Sequence, residues 1–213
     1  MGTEGNQFDS HDHSLKDPTR ILALTDGVFA IIMTLLVLEL KVPSVQKGVE
    51  LSSHLLGLGY HLLLYFASFL LAGVYWVGHR LIFSLVKYVN TTLVWLNIFF
   101  LMICSLIPFA AALLGNYPLE TYSLAVYGAL LFLLAGFRLY MYLYVTHHHS
   151  LLYTPVPRVR RRRVIGVMIF APVMFLLSLC IVPFFPKLAL VLYCITPPMF
   201  VTAITLVNKM KIK

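Results

Sequence analysis

Apolar stretches of about 20 residues recur along the chain, and they constrain the fold more than any other feature of the sequence. At 1.5 Å of rise per residue, a helix of roughly 20 residues crosses the hydrocarbon core of a bilayer, which is about 30 Å thick. Hydrophobic residues make up 60% of the 213 residues and charged residues only 11%, too few to cover a water-facing surface. The sequence therefore predicts an all-α integral membrane protein and excludes a soluble globular domain.

Six transmembrane helices are expected in a single domain at residues 19–207. A polar segment, 1–18, precedes this domain, and a basic tail, 208–213, follows it. The polar segment lacks the basic-then-apolar order of a cleavable signal peptide, so helix 1 is expected to remain in the protein. The predicted helices lie at residues 19–42, 53–84, 90–114, 120–144, 163–182 and 187–207.

The distribution of Lys and Arg predicts the orientation. Six crossings place both termini on one side, and short cytoplasmic segments accumulate basic residues. Only Lys41, Lys47 and Lys187 fall on the opposite side, so both termini are predicted to be cytoplasmic. The net charge of +8 follows from this topology, which favours contact with membrane lipids and argues against a nucleic-acid partner. The basic residues on the side of the termini are Lys16, Arg20, Arg80, Lys87, Arg158, residues 160–163, Lys209, Lys211 and Lys213.

Helix 1 carries charged groups in an otherwise apolar span. An ionised side chain placed centrally in a membrane helix costs on the order of 3 kcal/mol, so it normally faces protein or water. Asp26 is therefore expected to point inward. Arg20 lies six residues earlier, about 120° away around the helix, so each needs a partner on another helix. Candidate partners at the cytoplasmic ends of helices 2 and 3 are Trp76, His79, Arg80, Asn90 and Asn97.

An apolar stripe also runs along helix 1. Ile31, Leu35 and Leu38 repeat at i, i+4 and i+7, with Gly27 one turn below. By its pattern alone the stripe predicts a packing or lipid-contact face, because every transmembrane helix offers one.

The start of helix 1 resembles a family signature. Arg20-x-x-x-Leu24-Thr25-Asp26 is similar to the Arg-x-x-x-Phe-Ser-Asp motif of the endolysosomal-type potassium channels called the transmembrane protein 175 family, with Leu and Thr replacing Phe and Ser. Helices 4 to 6 resemble that family only in number, length and hydrophobicity. Further similarity to the bacterial branch lies in Gly27-Val-Phe-Ala-Ile31, the 35–40 run with Glu39, Trp76-x-x-His79, Trp95-Leu-Asn97 and Ser105-Leu-Ile-Pro108-Phe109.

The resemblance implies a potassium channel whose pore is lined by helix 1 of four identical chains, because one signature copy is present and the family's single-repeat members are tetramers. Ile31 would form the narrowest ring and Leu35 and Leu38 further apolar rings. Thr34 would add a hydroxyl layer, and the sequence leaves open whether Thr34 or Leu35 faces the pore. The expected polar network beside the pore comprises Arg20, Thr25, Asp26, Trp76, His79 and Asn97.

Selectivity in such a pore would come from side chains. No Thr-Val-Gly-Tyr-Gly segment occurs, which excludes a carbonyl-lined filter of that kind. Partial dehydration at apolar rings would favour K⁺ moderately over Na⁺. The resemblance thus implies a multi-pass protein of a bacterial cell membrane that passes monovalent cations and needs no cofactor.

Other functions remain as alternatives. A proton- or sodium-coupled secondary transporter would use Asp26 and Glu39, although the midplane of helix 1 is apolar. An enzyme is not expected, because no Ser, His and acidic group share one depth. No metal site is expected at His147, His148 and His149, because consecutive helical side chains diverge by about 100°. Arg138 is expected to snorkel to the interface.

Overall fold

The structure is a computed structural model that describes residues 17–40 and 59–209, with side chains through Met199 and at Thr202. It is helical throughout these ranges apart from short turns and one β-bridge. The helices are α1 (Thr19–Leu38), α2 (Gly59–Phe83), α3 (Thr91–Cys104), α4 (Ile107–Asn116), α5 (Thr121–His147), α6 (Arg158–Ile181) and α7 (Pro186–Lys209), with a 3₁₀ turn at His149–Leu151.

Five stretches of described helix are long and apolar enough to cross a membrane. They are α1, α2, the pair α3 and α4 taken together (Thr91–Asn116), α5 and α6. The predicted integral, multi-pass class is therefore confirmed. The sixth predicted crossing corresponds to α7, which contains Pro197 and Pro198.

The predicted boundaries differ from the observed ones at several ends. Helix 1 ends at Leu38 rather than at residue 42, and the fourth predicted helix extends to His147 rather than to 144. Residues 53–58, the predicted start of helix 2, lie outside the described residues. Residues 160–162 were expected in the loop before the fifth helix, which was predicted to start at residue 163, but they belong to the first turns of α6. Arginine is a good helix former, and Pro157 occupies the preceding N-cap position.

The predicted third helix is divided in two near Ser105. Pro108 has no N–H to donate to the carbonyl of Cys104, and its ring crowds the preceding turn. Ser105 and Leu106 nevertheless keep helical backbone angles, and the Ala110 N–H donates to the Leu106 carbonyl at 3.0 Å. The chain therefore makes one crossing through α3 and α4, with a local break.

The helices pack in two groups that share α5. In the first group, α1 contacts α2, α3 and α4, and in the second, α5, α6 and α7 contact one another. Helix α5 also packs on α2, α3 and α4, so it joins the two groups.

Two turns at the arginine-rich end are joined by backbone hydrogen bonds. Val86 and Leu152 form an antiparallel bridge, in which the Lys87 N–H donates to Leu151 at 2.7 Å and the Tyr153 N–H to Leu85 at 3.1 Å. This turn clamp, residues 85–88 with 151–153, connects the α2–α3 turn to the α5–α6 turn.

Candidate functional site: the two faces of helix α1

One face of α1 is packed against the rest of the chain. Its residues follow a spacing of four or three, which keeps them on one side of a helix with 3.6 residues per turn. Phe29 on this face lies 6.3 Å from the ring of Phe100 on α3. The buried positions are Ile21, Thr25, Phe29, Ile32 and Leu36.

Thr25, Asn97 and His79 form a buried hydrogen-bonded group that ties α1 to α3 and α2. The Asn97 Nδ2 donates to the Thr25 hydroxyl at 3.1 Å, and the Asn97 Oδ1 lies 2.7 Å from the His79 Nε2. Because an amide oxygen only accepts, the Nε2 of His79 carries the hydrogen in this bond. These three side chains are buried, so each depends on the others for its hydrogen bonds.

The imidazole of His79 is also fixed by two aromatic rings. It stacks on Phe83 with centroids 4.4 Å apart and on Phe100 with centroids 5.6 Å apart. His79 is among the residues predicted from the sequence, whereas these two phenylalanines are not. Phe83 lies four residues after His79 on α2, a helical spacing that is a detectable signal.

Asp26 has a separate partner on α2. Its Oδ1 accepts a hydrogen bond of 2.7 Å from the Trp76 Nε1, and the guanidinium of Arg80 lies 5.2 Å from the centre of the Trp76 ring. Asp26 is half-buried, so its carboxylate is held at the edge of the packed face. The indole N–H thus gives the Asp26 side chain a hydrogen-bond donor on α2, and Arg80 packs on the ring that carries this donor.

Arg20 is not joined to this network within one chain. Its side chain is exposed and forms no hydrogen bond or ion pair with the described residues. At 100° per residue it lies on the same side of α1 as Ile31. The structure thus brings together five of the six predicted network residues and leaves Arg20 on the opposite face.

Asn90, another predicted partner for helix 1, has a different role. Its side-chain oxygen accepts from the Leu93 N–H at 2.9 Å and caps α3, and its Nδ2 donates to the Tyr144 hydroxyl at 2.9 Å. An asparagine directly before a helix is a common N-cap, and this local signal was available in the sequence.

The other face of α1 is uncovered in the single chain. Ile31 is 59% exposed, Leu35 42% and Leu38 70%. Gly27 is exposed beside them. The predicted stripe is therefore the part of α1 that this chain itself does not bury.

Thr34 also lies on the uncovered face. Its hydroxyl is 3.0 Å from the Ala30 carbonyl and 2.9 Å from the Ile31 carbonyl, so its hydrogen is used within the helix. Only the acceptor lone pairs of the oxygen are left for an ion or a water molecule.

The histidine run at 147–149 and Arg138 fall outside this site. Among the described residues, no group of three His, Cys, Asp or Glu side chains is placed to hold a metal ion. His148 Nδ1 lies 2.9 Å from the Tyr144 carbonyl oxygen, at the end of α5. Arg138 does not snorkel as expected: it is 3% exposed, because its guanidinium packs over the Tyr75 ring at 4.9 Å.

Comparisons with known proteins match this part of the chain. Residues 20–108 fit the sequence model of the family described as endosomal/lysosomal potassium channel TMEM175. A potassium channel of Chamaesiphon minutus is 45% identical over 100 residues, which cover 46% of this chain and 49% of that protein. A potassium channel of a Chryseobacterium species is 38% identical over 109 residues, which cover 51% of this chain and 55% of that protein.

The structural similarity extends further than the sequence similarity. The crystal structure of a lysosomal potassium-selective channel TMEM175 homolog from Chamaesiphon minutus superposes with a TM-score of 0.77 at 28% identity, covering 86% of this chain and 96% of that one. In sequence, the chain spans about half the length of the curated relatives it matches. The resemblance seen at the start of helix 1 is confirmed: residues 20–108 match the TMEM175 family model, in a chain that shares the fold of a bacterial homologue of that family.

Proposed function

We propose that this chain forms a potassium channel as a homotetramer, with α1 of each copy lining the pore. The observation that carries the proposal is the contrast between the faces of α1: one is fixed by Thr25, Asp26 and their partners, and the other is apolar and uncovered. Two relatives that match about half of the chain are named potassium channels. The proposal includes six crossings, with α7 as the last and both termini cytoplasmic.

The uncovered face of α1 is wide enough to serve two purposes in a closed ring. Viewed down the helix axis, the exposed positions of α1 span an arc of about 160°, with Leu35 at one edge and Val37 at the other. Ile31 and Leu38 lie near one side of this arc, and Ala30 and Val37 near the other. In a fourfold ring, the first side would face the axis while the second contacts the neighbouring copy.

Ion selection at such a ring rests on partial dehydration. Branched aliphatic side chains at Ile31, Leu35 and Leu38 offer no oxygen ligand, so an ion must lose part of its hydration shell. Potassium loses water more easily than the smaller sodium ion, which gives a moderate preference for K⁺. The Thr34 oxygen would supply a weak acceptor beside the rings.

The test is a reversal potential in mixed K⁺ and Na⁺ solutions for Ile31→Asn and Val37→Asn. Ile31→Asn places amide oxygens where the ion loses part of its hydration shell, so we expect a larger current and a lower preference for K⁺ over Na⁺. Val37→Asn is the matched control, because Val37 is also β-branched and is 47% exposed, but lies about 120° away. Ile32 is unsuitable as a control because it is only 2% exposed. An unchanged reversal potential in Ile31→Asn would reject the ring assignment.

Two further measurements separate this proposal from its alternatives. Ile31→Cys should crosslink between copies if four α1 helices meet at one axis, and an active monomer would reject the pore. In liposomes we expect passive potassium flux that is not coupled to the transport of a second ion through the protein. Obligatory coupling to protons or sodium would instead support a transporter in which Asp26 and Glu39 act.

A further inference from the structure

A cavity of about 90 Å³, with two arginines in a largely apolar lining, lies between α2, α5 and α6, near the arginine-rich end of the molecule. It is lined by side chains of Arg138, Arg160, Tyr142 and Ser84, and by Gly78. No carboxylate is among its described lining residues. None of these residues belongs to α1 or to the network that holds it, so the pore proposal leaves this cavity without a role.

Arg138 is fixed at the inner end of the cavity. Its guanidinium lies over the Tyr75 ring and against Gly78, where an added Cβ would come within 3.0 Å of a guanidinium nitrogen. Gly78 therefore makes room for the guanidinium between α2 and α5. Arg138 lies nine residues before His147, the last residue of α5, so a buried positive charge stands about 13 Å below that helix end.

Arg160 supplies the second positive charge from the first turn of α6. Its neighbour Arg161 donates from Nε to the Thr146 hydroxyl at 3.0 Å, which fixes the start of α6 on α5. This attachment leaves Arg160 half-buried in the cavity wall, whereas Arg162 and Arg163 are exposed. One arginine of the run thus faces the cavity, and its neighbours do not line it.

The chemistry of the cavity suits a phosphate group. Guanidinium groups bind phosphate oxygens with paired, charge-assisted hydrogen bonds, and hydroxyl groups can complete the shell. The volume of about 90 Å³ is well above the ~10–15 Å³ that a cavity needs to hold one water molecule. The cavity therefore has room for a small oxyanion.

Apolar side chains beside the cavity indicate where that phosphate comes from. Leu81 and Leu85 of α2 and Val164 of α6 also line it, and Leu81 is exposed on the outer surface of the helices. We propose that this cavity binds the headgroup phosphate of an anionic phospholipid, with Arg138 and Arg160 on the phosphate and the acyl chains along the apolar rim. Basic pockets between transmembrane helices are suited to anionic lipid headgroups.

The test measures lipid retention and thermal stabilisation of the delipidated full chain in detergent. Phosphatidylglycerol, phosphatidylcholine and inorganic phosphate are added separately, and bound lipid is counted by native mass spectrometry. We expect phosphatidylglycerol alone to remain bound and to raise the unfolding temperature. Stabilisation by inorganic phosphate equal to that by phosphatidylglycerol would overturn the lipid assignment and leave a soluble-anion site.

Two variants and one matched control test the residues. Arg160→Gln should weaken phosphatidylglycerol retention at least about tenfold, since a charge-assisted hydrogen bond is lost. Arg162→Gln removes the same charge from an exposed position on the same helix and should change retention less than about twofold. Ser84→Glu, at an exposed position on the cavity rim, should weaken retention by repulsion without disturbing the core. Equal losses in Arg160→Gln and Arg162→Gln, or unchanged retention in Ser84→Glu, would overturn the proposal.

Discussion

In the N-terminal half of the chain, α1 is attached to α2 and α3 by directional hydrogen bonds, whereas α5, α6 and α7 pack mainly through apolar surfaces. Asn97 can be replaced only by a side chain that both donates to Thr25 and accepts from His79. Apolar packing accepts many residues of similar volume. The family match covers residues 20–108 and so includes all of these polar partners.

The largest effect is expected from Asn97→Ala. Thr25 and His79 would both remain buried without their partner, which costs about 2–4 kcal/mol in unfolding free energy for two stranded polar groups. Thermal unfolding in detergent measures the change. The control is Asn116→Ala, because Asn116 is exposed and bonds only the Ala112 carbonyl. Equal destabilisation by both variants would show that the buried group does not hold the N-terminal half.

The next effect separates the two tryptophans of the chain. Trp76→Phe removes the donor to Asp26 and leaves a half-buried carboxylate with a weaker shell, for an expected loss of about 1.5–3 kcal/mol. Trp95 is exposed on α3, so Trp95→Phe should change stability by less than about 0.5 kcal/mol. The same unfolding assay gives both values. If Trp95→Phe lowered the free energy of unfolding as much as Trp76→Phe, the hydrogen bond to Asp26 would not explain the effect of Trp76→Phe.

A close approach in the C-terminal half gives a smaller effect. A Cβ at Gly128 on α5 would overlap the buried side chain of Tyr193 on α7, whereas one at Gly136 meets no atom within 4 Å. Gly128→Ala should destabilise by about 1–2 kcal/mol, the overpacking cost less the helix-propensity gain. Gly136→Ala should be neutral or stabilise by up to about 1 kcal/mol. A neutral Gly128→Ala would mean that α5 and α7 separate easily, and that this half lacks a fixed contact there.

The smallest effect on the folding of one chain is expected from Arg20→Ala. Because Arg20 is exposed and unbonded to the described residues, the unfolding free energy should change by less than about 0.5 kcal/mol. A role in assembly would instead appear as a lower oligomer fraction in mass measurements. Destabilisation comparable to that of Trp76→Phe would place Arg20 in the network that the sequence assigned to it.

Most of the fold was predictable from simple physical requirements. Hydrocarbon thickness determines the length of a spanning helix, and a polar group in such a helix needs a partner at the same depth. That requirement led from Arg20 and Asp26 to candidates that include Trp76, His79 and Asn97, of which Trp76 bonds Asp26. Whether the stripe of Ile31, Leu35 and Leu38 is buried within the chain or left uncovered was not predictable from the pattern alone, because packing and lipid-facing stripes have the same spacing.

The incorrect expectations concern residues whose environment depends on distant helices. A single arginine near a helix end has the same local sequence whether it snorkels or is buried. Arg138 is buried because Tyr75 and Gly78 on α2 provide a ring and a gap, and helix packing alone brings them together. The break before Pro108 and the helical start at Arg158 had local signals, because a proline marks each. The third helix was wrongly continued through Pro108, and the helix after Pro157 was predicted to start too late.

The turn clamp implies an order of folding. Residues 85–88 and 151–153 are separated in the chain by α3, α4 and α5, so the clamp closes a loop that spans that whole segment. Contacts between residues so distant in sequence form late, because the entropy of closing the loop must be overcome before any bond is gained. The network around Asn97 needs only α1 to α3. The N-terminal half can therefore acquire its structure early. The clamp forms later, once the C-terminal half has packed against it.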